Sequence, residues 1–90
     1  MTWTAEEFTR MLRDEGYGEI VEVRREPNRT LALHAHPFEV KALVLEGEIR
    51  LEVDGTPADY RPGDVFALAQ GCEHVEQYGP AGVRYLVGRR

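Results

Sequence analysis

The spacing of apolar residues changes from a helical period to an alternating one near residue 18. In residues 5–15, apolar side chains recur three and four positions apart, which predicts one amphipathic helix. Thr4 and Glu7 have the spacing of an N-terminal capping box, and Gly16 is a typical residue at which a helix ends. The first 18 residues therefore predict a short helix and turn that pack against the rest of the chain.

From Glu19 onwards, apolar and polar residues mostly alternate, as they do in β-strands. We predict strands at residues 20–25, 30–36, 40–45, 49–54, 58–61, 65–68, 73–78 and 83–87. The signals for turns between them are Pro27-Asn28, Glu46-Gly47, Asp54-Gly55, Pro62-Gly63, Gln70-Gly71 and Gly79-Pro80. Many short strands at this spacing predict an all-β sandwich or barrel over residues 19–88.

Composition limits the class of protein further. A chain of 90 residues forms one domain with a small core. Its net charge of -5 disfavours a nucleic-acid partner. The single cysteine, Cys72, excludes an internal disulfide and suits a reducing compartment. No apolar run has membrane-spanning length and no signal-peptide pattern is present, so we expect a cytoplasmic protein without a membrane partner.

The three histidines carry the chemistry that the sequence offers. In the strand over residues 30–36, alternate side chains share a face, so His34 and His36 lie side by side among small neighbours. His74 is distant in sequence and follows the turn at Gly71. Two imidazoles from one strand and one from a remote strand can form a three-nitrogen face for a metal ion. Such a face leaves coordination positions open for water or substrate.

The first histidine pair and its flanking residues resemble the first motif of the small single-domain cupins. His34, His36 and Gly47 fit that motif in register, and Asn28 stands where the family has a glycine. Asparagine tolerates the left-handed backbone conformation that a glycine would adopt there. Val40 occupies the position of the motif's glutamate, and the nearest acid, Glu39, comes one residue earlier.

The second cupin motif is also present in part. Gly63, Gly71 and His74 fit it, whereas Ala69 replaces a proline and Tyr78 replaces an asparagine. The resemblance covers about residues 19–88. It implies an RmlC-like double-stranded β-helix, or jelly-roll barrel, so that residues 1–90 form a single cupin domain with one short N-terminal helix.

The resemblance implies that His34, His36 and His74 point into the barrel and bind a divalent transition metal. Nitrogen ligands favour Fe, Mn, Ni, Co, Cu or Zn over Mg or Ca. The role of Glu39 stays open. In the family register it is a surface acid facing away from the barrel, whereas a turn at Pro37 that is tighter by one residue would make it a fourth ligand. Histidines hydrogen-bonded in a metal-free pocket are the alternative to a metal site.

Glu76 and Tyr78 share a face with His74 if that strand is regular. Both can then orient an imidazole or a substrate. Glu76 is also the candidate general base, and Tyr78 is expected to line a pocket with Phe66 and Val40. The alternative for Glu76 and Tyr78 is an exposed strand end. Packing in the core would equally explain Phe66.

Two pairs of leucines are predicted to lie on the outside of the barrel. Leu31 and Leu33 alternate with the histidine face, and Leu43 and Leu45 lie opposite Val40. Exposed apolar pairs are unfavourable, so a helix or a second subunit should cover them. From this we predict a homodimer.

Three functions are compatible with the sequence. Three histidines with open coordination favour a metal-dependent dioxygenase or isomerase that acts on a small molecule. The absence of the motif's glutamate instead favours a binding or sensing cupin that holds a small-molecule ligand without catalysis. A structural pocket without metal is the third. The sequence therefore leaves open whether the protein is an enzyme.

Overall fold

A computed structural model describes residues 3–90 as one short helix and six strands. The helix α1 spans Ala5–Asp14. The strands are β1 (Glu19–Arg25), β2 (Thr30–His34), β3 (Val40–Val53), β4 (Thr56–Tyr60), β5 (Val65–Leu68) and β6 (His74–Arg89). The all-β class with one short N-terminal helix is confirmed. None of the helical residues that the structure describes forms a segment long and apolar enough to cross a membrane.

The N-terminal capping box predicted for α1 is confirmed. The Thr4 hydroxyl accepts a hydrogen bond from the Glu7 backbone at 3.1 Å, and the Glu7 carboxylate accepts one from the Thr4 backbone at 3.1 Å. These two bonds satisfy amide groups that have no partner within the helix. Glu15 caps the other end, and Gly16 continues the chain at a φ of 87°. The helix therefore ends one residue before the predicted boundary.

The two longest strands organise the whole sheet. β6 pairs in antiparallel fashion with β3 along most of its length, and also with β1 and β2. β3 in turn pairs with β4 and β5. Because β3 and β6 each pass through both halves of the sheet, they hold the jelly roll together.

The turns predicted at Glu46-Gly47 and Gly79-Pro80 are wrong, because the chain does not reverse at either position. β3 and β6 run through them, and their mutual register shifts on both sides of Gly47. Gly47 has a φ of 73°, and a Cβ atom there would lie 2.0 Å from the carbonyl oxygen of Gly82. Gly47 and Gly82 thus allow the backbones of β3 and β6 to approach closely where their pairing contains a bulge.

Two apolar clusters lie on opposite sides of the sheet. The barrel core is its interior cluster, which includes Ala42, Val44, Ile49, Leu51, Val83 and Val87. The helix cluster consists of Phe8, Leu12, Tyr17 and Leu43, all buried between α1 and the outer face of the sheet. A second contact layer around the helix cluster includes Met11, Ile20, Leu45, Val65 and Leu86.

The leucines predicted to face outwards differ in exposure and in direction. Leu43 is 1% exposed because α1 of the same chain covers it. Leu33 remains 62% exposed. The prediction that Leu31 faces outwards is wrong. A bulge in β2 places it opposite Glu76, on the inner side of the sheet. The homodimer stays a prediction.

Candidate metal centre

The three histidines predicted as ligands converge at one end of the barrel. His34 and His74 lie opposite each other on β2 and β6. Their ring centroids are 4.2 Å apart, and the ring of His36 lies 4.9 Å from His34 and 5.3 Å from His74. The β-sheet register therefore brings together side chains that are remote in sequence.

His36 reaches this position from a loop and not from the predicted strand, because β2 ends at His34. The carbonyl oxygen of His36 accepts a hydrogen bond from the Gly71 amide at 2.9 Å. Its ring stacks on Phe38, with centroids 5.1 Å apart and planes inclined by 12°. Contacts from the loop before β3 and from the turn before β6 thus fix the position of His36.

Backbone carbonyls fix the ring orientation of the other two histidines. Nδ1 of His34 lies 2.7 Å from the carbonyl oxygen of Ala32, and Nδ1 of His74 lies 3.0 Å from that of Cys72. A carbonyl oxygen only accepts hydrogen bonds, so each Nδ1 carries the proton. In a neutral imidazole, Nε2 then presents a lone pair, which is the form that ligates metals.

A buried carboxylate faces those two lone pairs. Oε2 of Glu76 lies 3.0 Å from Nε2 of His34 and 3.1 Å from Nε2 of His74. The hydroxyl of Tyr78 donates a hydrogen bond to the other oxygen, Oε1, at 3.1 Å. Glu76 is 6% exposed and His74 is 0% exposed. An ionised carboxylate at this depth requires a compensating positive charge.

A transition metal ion fits this arrangement. With neutral rings, lone pairs of nitrogen and oxygen would face each other, and a cation between them removes the conflict. Nε2 of His34 is buried and makes no hydrogen bond to any described residue, despite its distance from Glu76. Metal bonds of about 2.1 Å place neighbouring ligand atoms about 3 Å apart when they meet at right angles.

His34, His36, His74 and Glu76 therefore form a candidate metal-binding group, here called the metal-ligand group. One ligand atom from each residue lies within 4.8 Å of all the others. Three imidazole nitrogens and one carboxylate oxygen suit a divalent transition metal better than Mg or Ca.

Glu39, considered from the sequence as a fourth ligand, is not among these residues. Its carboxylate accepts a hydrogen bond from Nε of Arg90, and its backbone pairs with that of Arg90. Val40 keeps the inward position and is 7% exposed. Glu76, predicted as a group that orients an imidazole or acts as a general base, supplies the carboxylate instead. Its spacing of two residues from His74 on one strand was the sequence signal for this placement.

A cavity of about 50 Å³ lies beside the metal-ligand group. Val40 and Phe66, expected in the pocket, line it, and so do Leu31 and Tyr85. Tyr78 is absent from this lining. It lies behind Glu76 and borders a surface groove on the other side.

The environment keeps the groups around Glu76 in defined protonation states. Burial, followed by the neighbouring imidazoles of His34 and His74, which would repel a proton on His36 when protonated themselves, lowers the pKa of His36 below its ordinary value. Burial and the negative charge of Glu76 raise the pKa of Tyr78 well above its ordinary value. Tyr78 therefore stays a neutral hydroxyl that donates to Glu76, and His36 favours its neutral, ligating form.

Comparison with known sequences identifies the family. Residues 21–85 match the family model of the cupin domain, which is most of the chain. The chain therefore belongs to the cupin family. A search of curated proteins found no match.

Many solved structures share the fold. An RmlC-like cupin from Shewanella frigidimarina has a TM-score of 0.66 and 23% identity, over 78% of this chain and 63% of that one. The polyketide cyclase RemF from Streptomyces resistomycificus has a TM-score of 0.66 and 28% identity, over 86% and 58%. The oxalate decarboxylase of Bacillus subtilis, studied for its Mn(II) centres, has a TM-score of 0.69 and 25% identity, over 78% and 20%. The chain covers less than two thirds of each.

Proposed function

We propose that this cupin binds a divalent transition metal through the metal-ligand group and holds a small-molecule substrate beside it for oxygenation or isomerisation. The observation that supports the proposal is the lone pair on Nε2 of His34, which is buried and directed at a carboxylate oxygen. Fe, Mn, Ni, Co, Cu and Zn are all compatible with the ligands. The Mn(II) centres of the oxalate decarboxylase support Mn as one of them.

The metal would supply Lewis acidity to oxygen atoms of a bound molecule. The surrounding residues position the ligands and limit access. Tyr78 holds Oε1 of Glu76 and leaves Oε2 for the metal. Phe38 fixes the plane of His36. The small cavity restricts the substrate to a few atoms and limits the water that can enter with it.

Non-enzymatic binding is the second candidate function. Among the residues that line the cavity, Glu76 is the one carboxylate, and it already contacts two imidazoles and a tyrosine hydroxyl. A carboxylate with those partners is a poor general base for a substrate. Metal-dependent binding of small molecules with no oxygen uptake and no product would favour this alternative over catalysis.

We also propose that the protein is a cytoplasmic homodimer, because Leu33 is 62% exposed and Cys72 is a free thiol. Sedimentation equilibrium over a wide range of concentrations tests the dimer. A mass that stays monomeric at the highest concentration would reject it.

The metal proposal is tested on untagged protein purified without a nickel column. Elemental analysis should find about one transition metal ion per chain after loading, and titration calorimetry should show binding. The variants His74→Ala and Glu76→Gln should lose most of the affinity, because each removes a ligand. Glu73→Gln removes a neighbouring exposed acid and should keep it. Metal content that is low and unaffected by His74→Ala would reject the proposal, provided that circular dichroism shows all three variants folded.

A further inference from the structure

Two arginines line the cavity beside the metal-ligand group. Arg25 ends β1 and Arg89 ends β6, and both belong to the lining together with His36 and His74. The antiparallel pairing of β1 with β6 places Arg25 opposite Val83 and Arg89 opposite Glu19. Arg25 lies two residues after Val23 and Arg89 two residues after Val87, so each arginine shares the strand face of an apolar residue of the barrel core or packed against it. Their guanidinium groups therefore approach the cavity from different positions along the strand pair.

The charges of the lining are unbalanced. The lining contains two arginines and one carboxylate, Glu76, and that carboxylate already contacts two imidazoles. The ion pairs among the described residues give Arg25 no carboxylate partner. A metal ion in the group would add further positive charge. The cavity is consequently suited to an anion.

Arg89 is held in place and still has free donors. Its Nη1 donates to Oε1 of Glu19 at 2.9 Å, and its guanidinium carbon lies 5.5 Å from the centroid of the Phe38 ring. Phe38 in turn stacks on His36, so the guanidinium adjoins a ligand of the metal. A guanidinium has five N–H donors in a planar fork that matches a carboxylate. One bond to Glu19 leaves others for a ligand.

The remaining walls restrict the size of that anion. Phe66, Leu68 and Val87 are apolar, and the free space is about 50 Å³. Such a cavity accepts a few heavy atoms and excludes nucleotides or sugar phosphates.

We propose that the cavity binds a short-chain carboxylate, whose carboxyl group is held by Arg89 beside Phe38 and His36, while Arg25 adds positive charge from the other end of the strand pair. The proposal rests on the proposed function, because the same cavity adjoins the metal-ligand group. It names the class of substrate or ligand that the metal centre would serve. Charge-assisted, bidentate hydrogen bonds from arginine give such a ligand both affinity and orientation.

The test compares pyruvate with pyruvamide, which has nearly the same size and shape and no charge. Titration calorimetry on metal-loaded protein should show pyruvate binding at least tenfold more tightly. Arg89→Gln and Arg25→Gln should each reduce this preference severalfold without changing the metal content. Arg24→Gln makes the same change of charge on the outer side of β1 and should keep the preference. Equal affinity for the two probes, or a preference that survives both cavity variants, would overturn the proposal.

The metal requirement is separated from the arginine requirement by repeating the comparison on metal-free protein. There, chemical-shift changes of the arginine Nε–H groups report binding of each probe. A preference for pyruvate that depends on the arginines supports the proposal even if the metal-ligand group proves unable to bind metal. No pyruvate binding in either form rejects it even if metal binds normally.

Discussion

The two buried regions on opposite sides of the sheet differ in what their burial achieves. The helix cluster consists of apolar contacts, with Phe8 and Leu12 at 0% and Leu43 at 1% exposure. Removing such surface from water stabilises the fold by about 25 cal/mol per Å². The metal-ligand group buries His74 and Glu76 to the same depth, and polar burial is unfavourable unless each group finds a partner. The helix cluster therefore stabilises the fold, whereas the burial of polar groups in the metal-ligand group lowers its stability.

The same strand serves both regions, because alternate residues point to opposite faces. On β6, Leu86 contacts the helix cluster and Tyr85 faces the cavity. Gly88 is packed so closely under Leu12 that a Cβ atom there would lie 3.0 Å from it. Stability and binding can therefore be changed separately, even at neighbouring residues.

The largest effect is expected from Leu12→Ala in the helix cluster. The truncation removes a fully buried side chain and leaves a cavity, so the free energy of unfolding should fall by about 2–5 kcal/mol. Urea denaturation measures this change. Metal affinity of the folded variant should stay within about twofold, because no ligand contacts the helix.

The matched control is Arg13→Ala, an exposed position next to Leu12 on the same helix. Its effect on unfolding should be within about 0.5 kcal/mol. If Leu12→Ala weakened metal binding as much as it weakened the fold, the separation of the two regions would be wrong.

A lower pH should affect the metal-ligand group more than the helix cluster. Protons compete with the metal for imidazole nitrogens, so affinity should fall by up to about tenfold per pH unit for each ligand that becomes protonated. Because burial and then the neighbouring imidazoles of His34 and His74 lower the pKa of His36, this residue stays neutral below the ordinary histidine range. The decline should therefore be shallower than it would be if His36 had an ordinary histidine pKa.

Calorimetric titrations between pH ~7.5 and ~5.5, in buffers that do not bind metals, check this result. Circular dichroism at each pH is the control for folding. An affinity that stays constant over the range would mean that imidazoles are not the ligands.

A smaller effect is expected from Tyr78→Phe, which removes the hydroxyl that donates to Glu76. Loss of a hydrogen bond that orients a ligand typically weakens metal binding by about 10–100-fold. Tyr60→Phe, at a tyrosine that packs on Phe66 and has no contact with Glu76, should leave the affinity unchanged. Calorimetry with the same metal compares the two. Equal affinities in both variants would limit Tyr78 to a role in packing.

Features that depend on a few adjacent residues could be predicted from the sequence. The capping box of α1 is one, and Asn28 is another, since its φ of 55° is the left-handed conformation expected for a residue in place of glycine. The cupin fold was predictable because its two motifs place histidines and glycines at a characteristic spacing along the chain. These signals depend on residues close together in sequence, and contacts with distant segments do not change them.

Features that depend on strand register could not be predicted. One extra residue in β2 reverses the direction of Leu31 while keeping His34 inward, and no residue in that segment signals a bulge. Whether Glu39 is a fourth ligand was left open for the same reason. Glu39 is directed away by its pairing with Arg90, a contact between segments distant in sequence.

The pairing of His34 with His74 also couples formation of the metal-ligand group to folding. These residues meet only when β2 has docked on β6, a contact between remote parts of the chain. An ion bound there would join β2 and β6 through its ligands, so its release would be coupled to the local opening of these strands. The lifetime of the bound ion would then report how often this end of the barrel opens.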